Sequence, residues 1–443
     1  MKRSQLLLAI IFFFASSPIS FAKTDEQTPA NFNGSFALNF RINGPENQRN
    51  EFIIQNPIWI IAFFGWNWQY PAFDIGPTHW ENKIFAEFKI PPPENGHIVL
   101  YQLYSQLTYE NYEIKIGKFL VPFGYYNSLY KPDQFLTLTR PDIYADPSDL
   151  DFISHRLNGP RAILTPGYSD TGLNLSYNSE SDKIYIPKIL SIYVVNGLGE
   201  ISDRSRTFPN SQMPGIPPPP IGGVDLDFGN TKNRLASHFN QKAFGGRMEF
   251  LLGDFKFSHP ISEKKRIKLT GISLGLSGMH SGTYSLEPGL PYTILGTDLS
   301  FRYRRLSFTG EYVYGENKFR HAQADADGEI DFLQNTEQLP TKLEINRGLY
   351  LQGAFPIRKQ LLGIVSFGRL ERRGPEMMFS SNTRHLAFAP SNKRINTSVN
   401  KYTFGLNYAL TEDFDIKWEF SYWKINLPVP NVYQWGVSFV RSF

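Results

Sequence analysis

Tyr433-Gln-Trp-Gly-Val-Ser-Phe-Val-Arg-Ser-Phe443 alternates with a period of two. One phase carries Tyr433, Trp435, Val437, Phe439 and Phe443, with Arg441 as its single polar member. The other carries Gln434, Gly436, Ser438, Val440 and Ser442. Successive side chains take opposite faces in a strand, so the segment is predicted as a β-strand with one aromatic and aliphatic face. It supplies the roughly 9–11 residues that a tilted strand needs to cross a bilayer. In a hydrocarbon layer such a strand has to belong to a closed sheet, because an open edge would leave backbone donors and acceptors unpaired.

The rest of the chain is compatible with that constraint. Lys2 and Arg3 precede the apolar run Leu6–Ala15, and Ser20-Phe21-Ala22 fits a small-x-small cleavage site, so residues 1–22 are expected to be a signal peptide and residues 23–443 the mature domain. No other segment reads as a membrane-crossing helix; Ile53–Phe64 is short and interrupted by Gln55, Asn56 and Pro57. The chain has no cysteine, which excludes disulfides, thiol nucleophiles, Cys-ligated metals and covalently attached c-type haem. Aromatic residues make up 15% of the chain, yet its mean hydropathy is −0.32. A membrane barrel reconciles the two, with aromatics on its lipid face and polar groups in its lumen. The net charge of +4 falls by two if Lys2 and Arg3 are removed, which gives no ground for a nucleic-acid partner.

Sixteen strand-like segments can be marked between Phe32–Ile42 and Tyr433–Phe443. The early ones are expected near Phe52–Phe64, Lys83–Ile90, Ile98–Tyr109 and Tyr112–Phe119. The later ones fall near Ser169–Asn178, Lys188–Asn196, Phe244–Phe257, Ile267–Gly278, Thr297–Tyr303, Leu306–Gly315, Arg347–Phe355, Leu361–Leu370, Lys401–Tyr408 and Phe414–Trp423. The connections alternate in length. Glu110-Asn111, Arg304-Arg305, Pro356–Gln360 and Ala409–Asp413 are short, whereas Gly197–Ala243, Glu316–Asn346 and Glu371–Asn400 are long. The segment Gly65–Glu81 strains the alternation, being long where a short turn is expected. The fold class predicted is all-β: an antiparallel up-and-down transmembrane barrel of about sixteen strands with both termini on the short-turn side.

The aromatic ending resembles the sorting signature of bacterial outer-membrane barrels, although Arg441 stands where that signature is usually apolar. Gly117-Lys-Phe-Leu-Val-Pro-Phe-Gly124, Val194-Val-Asn-Gly-Leu-Gly199, Leu274-Gly-Leu-Ser-Gly278, Asp298–Tyr303 with Gly310-Glu-Tyr312, and Gly405-Leu-Asn-Tyr408 resemble the porin superfamily. The nearest resemblance is to the phosphate-selective porins and their uncharacterised relatives. It implies a homotrimer in the bacterial outer membrane, surrounded by lipid and passing small hydrophilic solutes. It also implies a long loop folded into the lumen, for which the candidate is Leu120–Tyr168, after the fifth strand.

The inward phase of the strands offers Arg41, Lys89, Lys115, Arg247, Arg302 and Lys417 against Glu87, Glu113, Glu249, Glu311, Asp415 and Glu419. A wall of balanced sign wets a pore and sets a transverse field without a strong ion preference; the same groups could equally serve as ion pairs within the wall. The candidate loop adds Lys131, Arg140, Arg156 and Arg161 beside five aspartates. The pore-lining and constriction candidates are therefore Lys115, Lys131, Arg140, Arg156, Arg161, Arg247, Arg302, Glu113, Glu311 and Lys417. The aspartates argue against carrying phosphate specificity over from the resemblance. Tyr125, Tyr126, Tyr130 and Tyr144 could form a sugar-stacking path, or could simply be packing.

Asp325–Asp331 resembles the middle of a calcium loop but has Gln323 and Gln334 where outer ligands would be needed, so no metal is expected. The eight histidines are dispersed and no nucleophile accompanies them; neither catalysis nor a cofactor is expected. The function expected is passive diffusion through a mixed-charge lumen. The alternatives are a solute-specific anion or carbohydrate channel and a non-conducting surface scaffold or adhesin.

Overall fold

The computed structural model describes residues 30–45, 58–75, 78–90, 98–129, 131–144, 162–164, 167–179, 186–197, 224–225, 242–252, 270–284, 287–303, 306–320, 341–379, 386–391, 393–427 and 431–443. The leader expected at residues 1–22, the calcium-like Asp325–Asp331, and Arg156 and Arg161 lie outside these residues.

Among the described residues sixteen antiparallel strands close into one barrel, and the two-residue strand Val224–Asp225 adds a parallel pairing at Ile98–Val99. In chain order they are β1 (Ala30–Pro45), β2 (Ile58–Ile75), β3 (Thr78–Ile90), β4 (Ile98–Tyr109), β5 (Tyr112–Leu120), β6 (Ser169–Asn178), β7 (Ile189–Val195) and β8 (Ala243–Leu252). The second half comprises β9 (Thr270–Tyr284), β10 (Glu287–Tyr303), β11 (Leu306–Arg320), β12 (Thr341–Arg358), β13 (Leu361–Pro375), β14 (Arg394–Ala409), β15 (Phe414–Ile425) and β16 (Val432–Ser442). Each strand pairs with the next, and β16 returns to β1 in the register Ser35↔Ser442 to Pro45↔Val432. Beyond Ser442 the ladder is completed by Phe443, whose N–H donates to Gly34 O at 3.0 Å and whose carbonyl accepts from Gly34 N at 2.9 Å. The Phe443 ring meets Phe32 and Phe64 at centroid distances of 5.6 and 6.2 Å. A short hairpin, Met377–Phe379 with Leu386–Phe388, rises between β13 and β14.

Closure follows from the period-two pattern. On the outward phase of β16, Trp435 is exposed while Gln434, Gly436 and Ser438 on the other phase are buried. Leu295, Phe301, Phe308, Phe355, Phe404 and Ile192 likewise face outward around the barrel. In water such an exterior would be an aggregating surface; in a bilayer it is the apolar belt of a transmembrane barrel.

The second and third strands depart from the expectation. β2 runs from Ile58 on to Ile75, and β3 already begins at Thr78, while residues 52–57 of the expected second strand lie outside the described residues. The expected long segment Gly65–Glu81 is thus almost wholly strand. Gly65 and Pro71 imitate strand breakers. Gly65, however, faces Asn33 and Glu87 across the lumen side, where an added Cβ would lie 2.8 Å from Asn33 Oδ1. Pro71 sits where the register slips between Tyr70 and Phe73, a bulge that tolerates a missing N–H. β10 also starts earlier than expected, at Glu287, so Pro288 and Pro291 lie within a strand whose ladder is irregular between Ser281 and Thr283 of β9.

Candidate functional site

The segment between β5 and β6 folds against the inner wall, as expected for an inserted loop. Its entry and exit are tied together: Val121 N donates to Tyr168 O at 2.9 Å, Asn127 Nδ2 to Val121 O at 2.8 Å, and Tyr168 N to Asn127 Oδ1 at 2.6 Å. The Tyr101 hydroxyl of β4 donates to Gly167 O.

Four charged wall residues then hold the loop by its backbone. Glu311 of β11, 2% exposed, accepts the Tyr144 hydroxyl at 2.5 Å and the Tyr126 N–H at 3.2 Å. Glu419 of β15 accepts the N–H groups of Leu138 and Thr139 at 2.5 and 3.1 Å, and the Thr139 hydroxyl. Lys417 of the same strand donates to Pro132 O at 2.7 Å and to Phe135 O. Lys401 of β14 donates to Arg140 O at 2.6 Å while its ammonium stands 5.0 Å from the Trp423 ring centroid. Asn407 Nδ2 adds a bond to Leu136 O at 2.8 Å. Acidic side chains thus meet backbone donors and basic ones meet carbonyls, which satisfies the buried polar groups on both sides.

Between these anchors lies an apolar core inside the barrel. Tyr126 stacks on Phe135 and Tyr144 at 5.4 and 5.7 Å and meets Tyr350 of β12 edge-on at 5.6 Å. Burial, reinforced by Glu311, pushes the Tyr144 phenol well above its ordinary range, so it remains a donor. Glycines on three neighbouring strands make room for loop side chains. A Cβ on Gly296 would lie 3.0 Å from the Phe123 ring, one on Gly315 2.9 Å from Ile163 Cγ2, and one on Gly348 in collision with Ile143 Cγ2. Gly296, Val313 and Gly348 fall in one row of the ladder, which continues through Leu370 and Val399. Gly124, at φ +63°, brings the loop backbone against the Glu311 carboxylate, where no side chain would fit.

The residues expected to line a constriction therefore divide. Glu311 and Lys417 face inward but are covered by the loop and spent on it; they are anchors. Arg140 is also buried, with its guanidinium carbon 5.1 Å from the Phe135 ring centroid. Arg247 is buried in the wall, forked onto Asp298 at 2.5 and 3.0 Å and bonded to Glu249 at 3.1 Å. Tyr126 and Tyr144 belong to the core and form no exposed track, and Tyr130 lies outside the described residues.

The others retain access. Lys115 and Glu113 of β5 pair at 2.7 Å with 25% and 18% of their side chains exposed. Lys131 on the loop pairs with Glu87 of β3 at 2.7 Å and keeps 14% exposure. Arg302 is half-buried on the inward phase of β10, and so on β3 is Lys83, which was not among the expected residues. Gln106 Nε2 donates to Glu113 at 2.5 Å, and Lys115 lies 5.4 Å from the Tyr104 ring centroid. Among the described residues no cluster of three or more His, Asp or Glu is arranged to hold a metal ion.

The inward phase of each strand already marked Glu419 as a lumen candidate in the sequence. Lys401 and Asn407 escaped because they flank a short apolar stretch, although both share the phase of Thr403 and Gly405. The glycine sockets carry no local signal, since their role depends on side chains more than a hundred residues away.

No family model matches the chain, and no curated protein does. Solved structures resemble it across the barrel. OmpF of Salmonella typhi, in complex with daunomycin, is 10% identical, covers 94% of this chain and 97% of its own, and superposes with a TM-score of 0.49. The anion-selective porin from Comamonas acidovorans is 9% identical over 94% and 99% of the two chains, with a TM-score of 0.48. OmpT, an outer membrane protein of Vibrio cholerae, is 8% identical over 95% and 100%, with a TM-score of 0.47. At such identities and scores the matches bring no family with them, and the resemblance to phosphate-selective porins gains no support. The barrel architecture stands on the closed strand ladder itself.

Proposed function

We propose that the protein is a bacterial outer-membrane porin, passing small hydrophilic solutes by passive diffusion through a lumen narrowed by the loop between β5 and β6. The observation that carries the reading is the segregation of the lumen. Apolar loop side chains, Glu311, Glu419, Lys417 and Lys401 are gathered on the β9–β15 side, where Arg302 of β10 stays half-buried, while Lys83, Glu113, Lys115 and Lys131 keep access to water on the β3–β5 side. A polar strip of mixed sign facing a braced loop sets a transverse field, and with Lys83, Lys115 and Lys131 set against Glu81, Glu87 and Glu113 it gives little net preference for either sign of ion.

The chain is further proposed to form a homotrimer through the outer face of β5–β8. β7 has only 7 residues, fewer than a lone lipid-facing strand needs, and its outward Ile192 is 56% exposed.

Conductance in planar bilayers tests the main reading. Stable steps with weak ion preference are expected. A barrel that inserts but never conducts would instead be a scaffold or adhesin, and block of the current by one solute class would mark a specific channel.

A further inference from the structure

The outer face of the barrel carries one patch that the apolar belt does not explain. Near the long-loop rim, Arg347 of β12 stands directly opposite Glu371 of β13, with Arg369 and Arg373 on the same outward phase. Arg347 Nε and Arg369 Nε both donate to the Glu371 carboxylate, the latter at 2.6 Å. Arg347 and Arg369 remain 54% and 49% exposed, against 11% for Glu371. Arg373 and, two strands away, Lys424 are exposed on the same side. The β14 residues facing β13 here are Asn396, Ser398 and Asn400 rather than hydrophobes.

Immediately toward the short-turn rim the surface changes. Phe367, Tyr402 and Tyr422 form a row with centroid spacings of 5.4 and 6.4 Å, and aliphatic and aromatic residues continue from there. An aromatic row marks the boundary between hydrocarbon and headgroups. A charge on the lipid face is costly at the midplane and nearly free near the interface, so the arginines sit at headgroup depth. One carboxylate shared by two guanidiniums, each with five donors, leaves most of those donors unspent and fixes two cationic forks side by side. Such a fork matches the oxygens of a phosphate monoester.

We infer that Arg347, Arg369 and Arg373, aligned by Glu371, bind the phosphate of an anionic membrane lipid whose acyl chains lie along Phe367, Tyr402 and the apolar wall below. The inference rests on the barrel spanning a membrane with its long-loop rim at an outer headgroup layer. It does not require that the lumen conduct.

The test is lipid retention by native mass spectrometry after purification in neutral detergent, with phosphatidic acid, phosphatidylcholine or inorganic phosphate added. Wild type is expected to retain phosphatidic acid over phosphatidylcholine. Arg369→Gln with Arg373→Gln is expected to lose that preference by roughly fivefold per charge removed. Arg373→Gln alone leaves the Arg347–Glu371–Arg369 cluster intact and should show a partial loss should the double variant fail to fold. Unchanged retention in the variants, no preference in wild type, or displacement of the lipid by inorganic phosphate at equal concentration would each overturn the lipid site. Bilayer conductance of the same variants should be unaltered; loss of conductance in wild type would overturn the porin reading and leave the lipid result standing.

Discussion

The Tyr144 hydroxyl reaches 2.5 Å to Glu311 Oε1, joining the middle of the inserted loop to the wall on β11. The same carboxylate accepts the Tyr126 N–H, so one buried acid fixes two points of the loop separated by eighteen residues. A buried carboxyl in this position makes the lumen geometry depend on one side chain. Glu311→Gln places an amide NH2 where one of two buried donors needs an acceptor. The expected loss is about 1–3 kcal/mol of loop anchoring, with the barrel ladder intact. Single-channel traces should become noisier and shift in mean conductance, while far-UV circular dichroism stays unchanged; quiet traces at the wild-type level would rule out the anchor.

The glycine sockets predict a steric counterpart. Gly348→Val would drive a side chain into Ile143, and overpacking of this kind costs about 1–3 kcal/mol. The loop, being less constrained than the ladder, is expected to yield first, altering conductance before thermal stability of the barrel. Ile143→Ala in the same chain should restore the wild-type current. Gly353→Ala, on the outward phase with its nearest contact at 3.6 Å, is expected to be neutral in both measurements.

Much of this architecture is legible from alternation alone. Trp435 against Gln434 and Leu299 against Asp298 declare their faces without any neighbour, because a period of two is a local property. The boundaries of β2 are not local. Pro71 reads as a terminator until the bulge opposite β3 is known, and Gly65 reads as a breaker until Asn33 and Glu87 are seen to fill its place. The inserted loop shows the same limit. Its existence follows from chain length between strands, but whether Lys417 faces solute or a carbonyl of residue 135 depends on a contact across more than 280 residues.

That division yields a test of which charges solutes meet. Lys115→Gln removes an accessible charge and is expected to move the reversal potential in a salt gradient toward cations. Lys417→Gln removes an equal charge from beneath the loop; it should leave the reversal potential nearly unchanged while lowering the thermal midpoint, because two carbonyls lose a charged donor. Equal shifts in reversal potential for the two variants would show that the loop does not shield β15.

The short wall supplies the remaining prediction. At 7 residues, β7 falls below the roughly 9–11 that span a bilayer at the usual tilt, and its neighbours β5 and β6 have 9 and 10 residues against 15 to 18 for β9 to β13. A subunit packed on this side would cover Ile116, Leu173 and Ile192 with protein and remove the mismatch. Ile192→Arg puts a charge into that contact but, at an outward position near the middle of a short strand, leaves the lumen untouched. Native electrophoresis is expected to show the wild type as a trimer and the variant shifted to monomer, each monomer retaining heat-modifiable barrel mobility. A variant that stays trimeric would place the contact on another face, and a wild type running only as monomer would remove the trimer altogether.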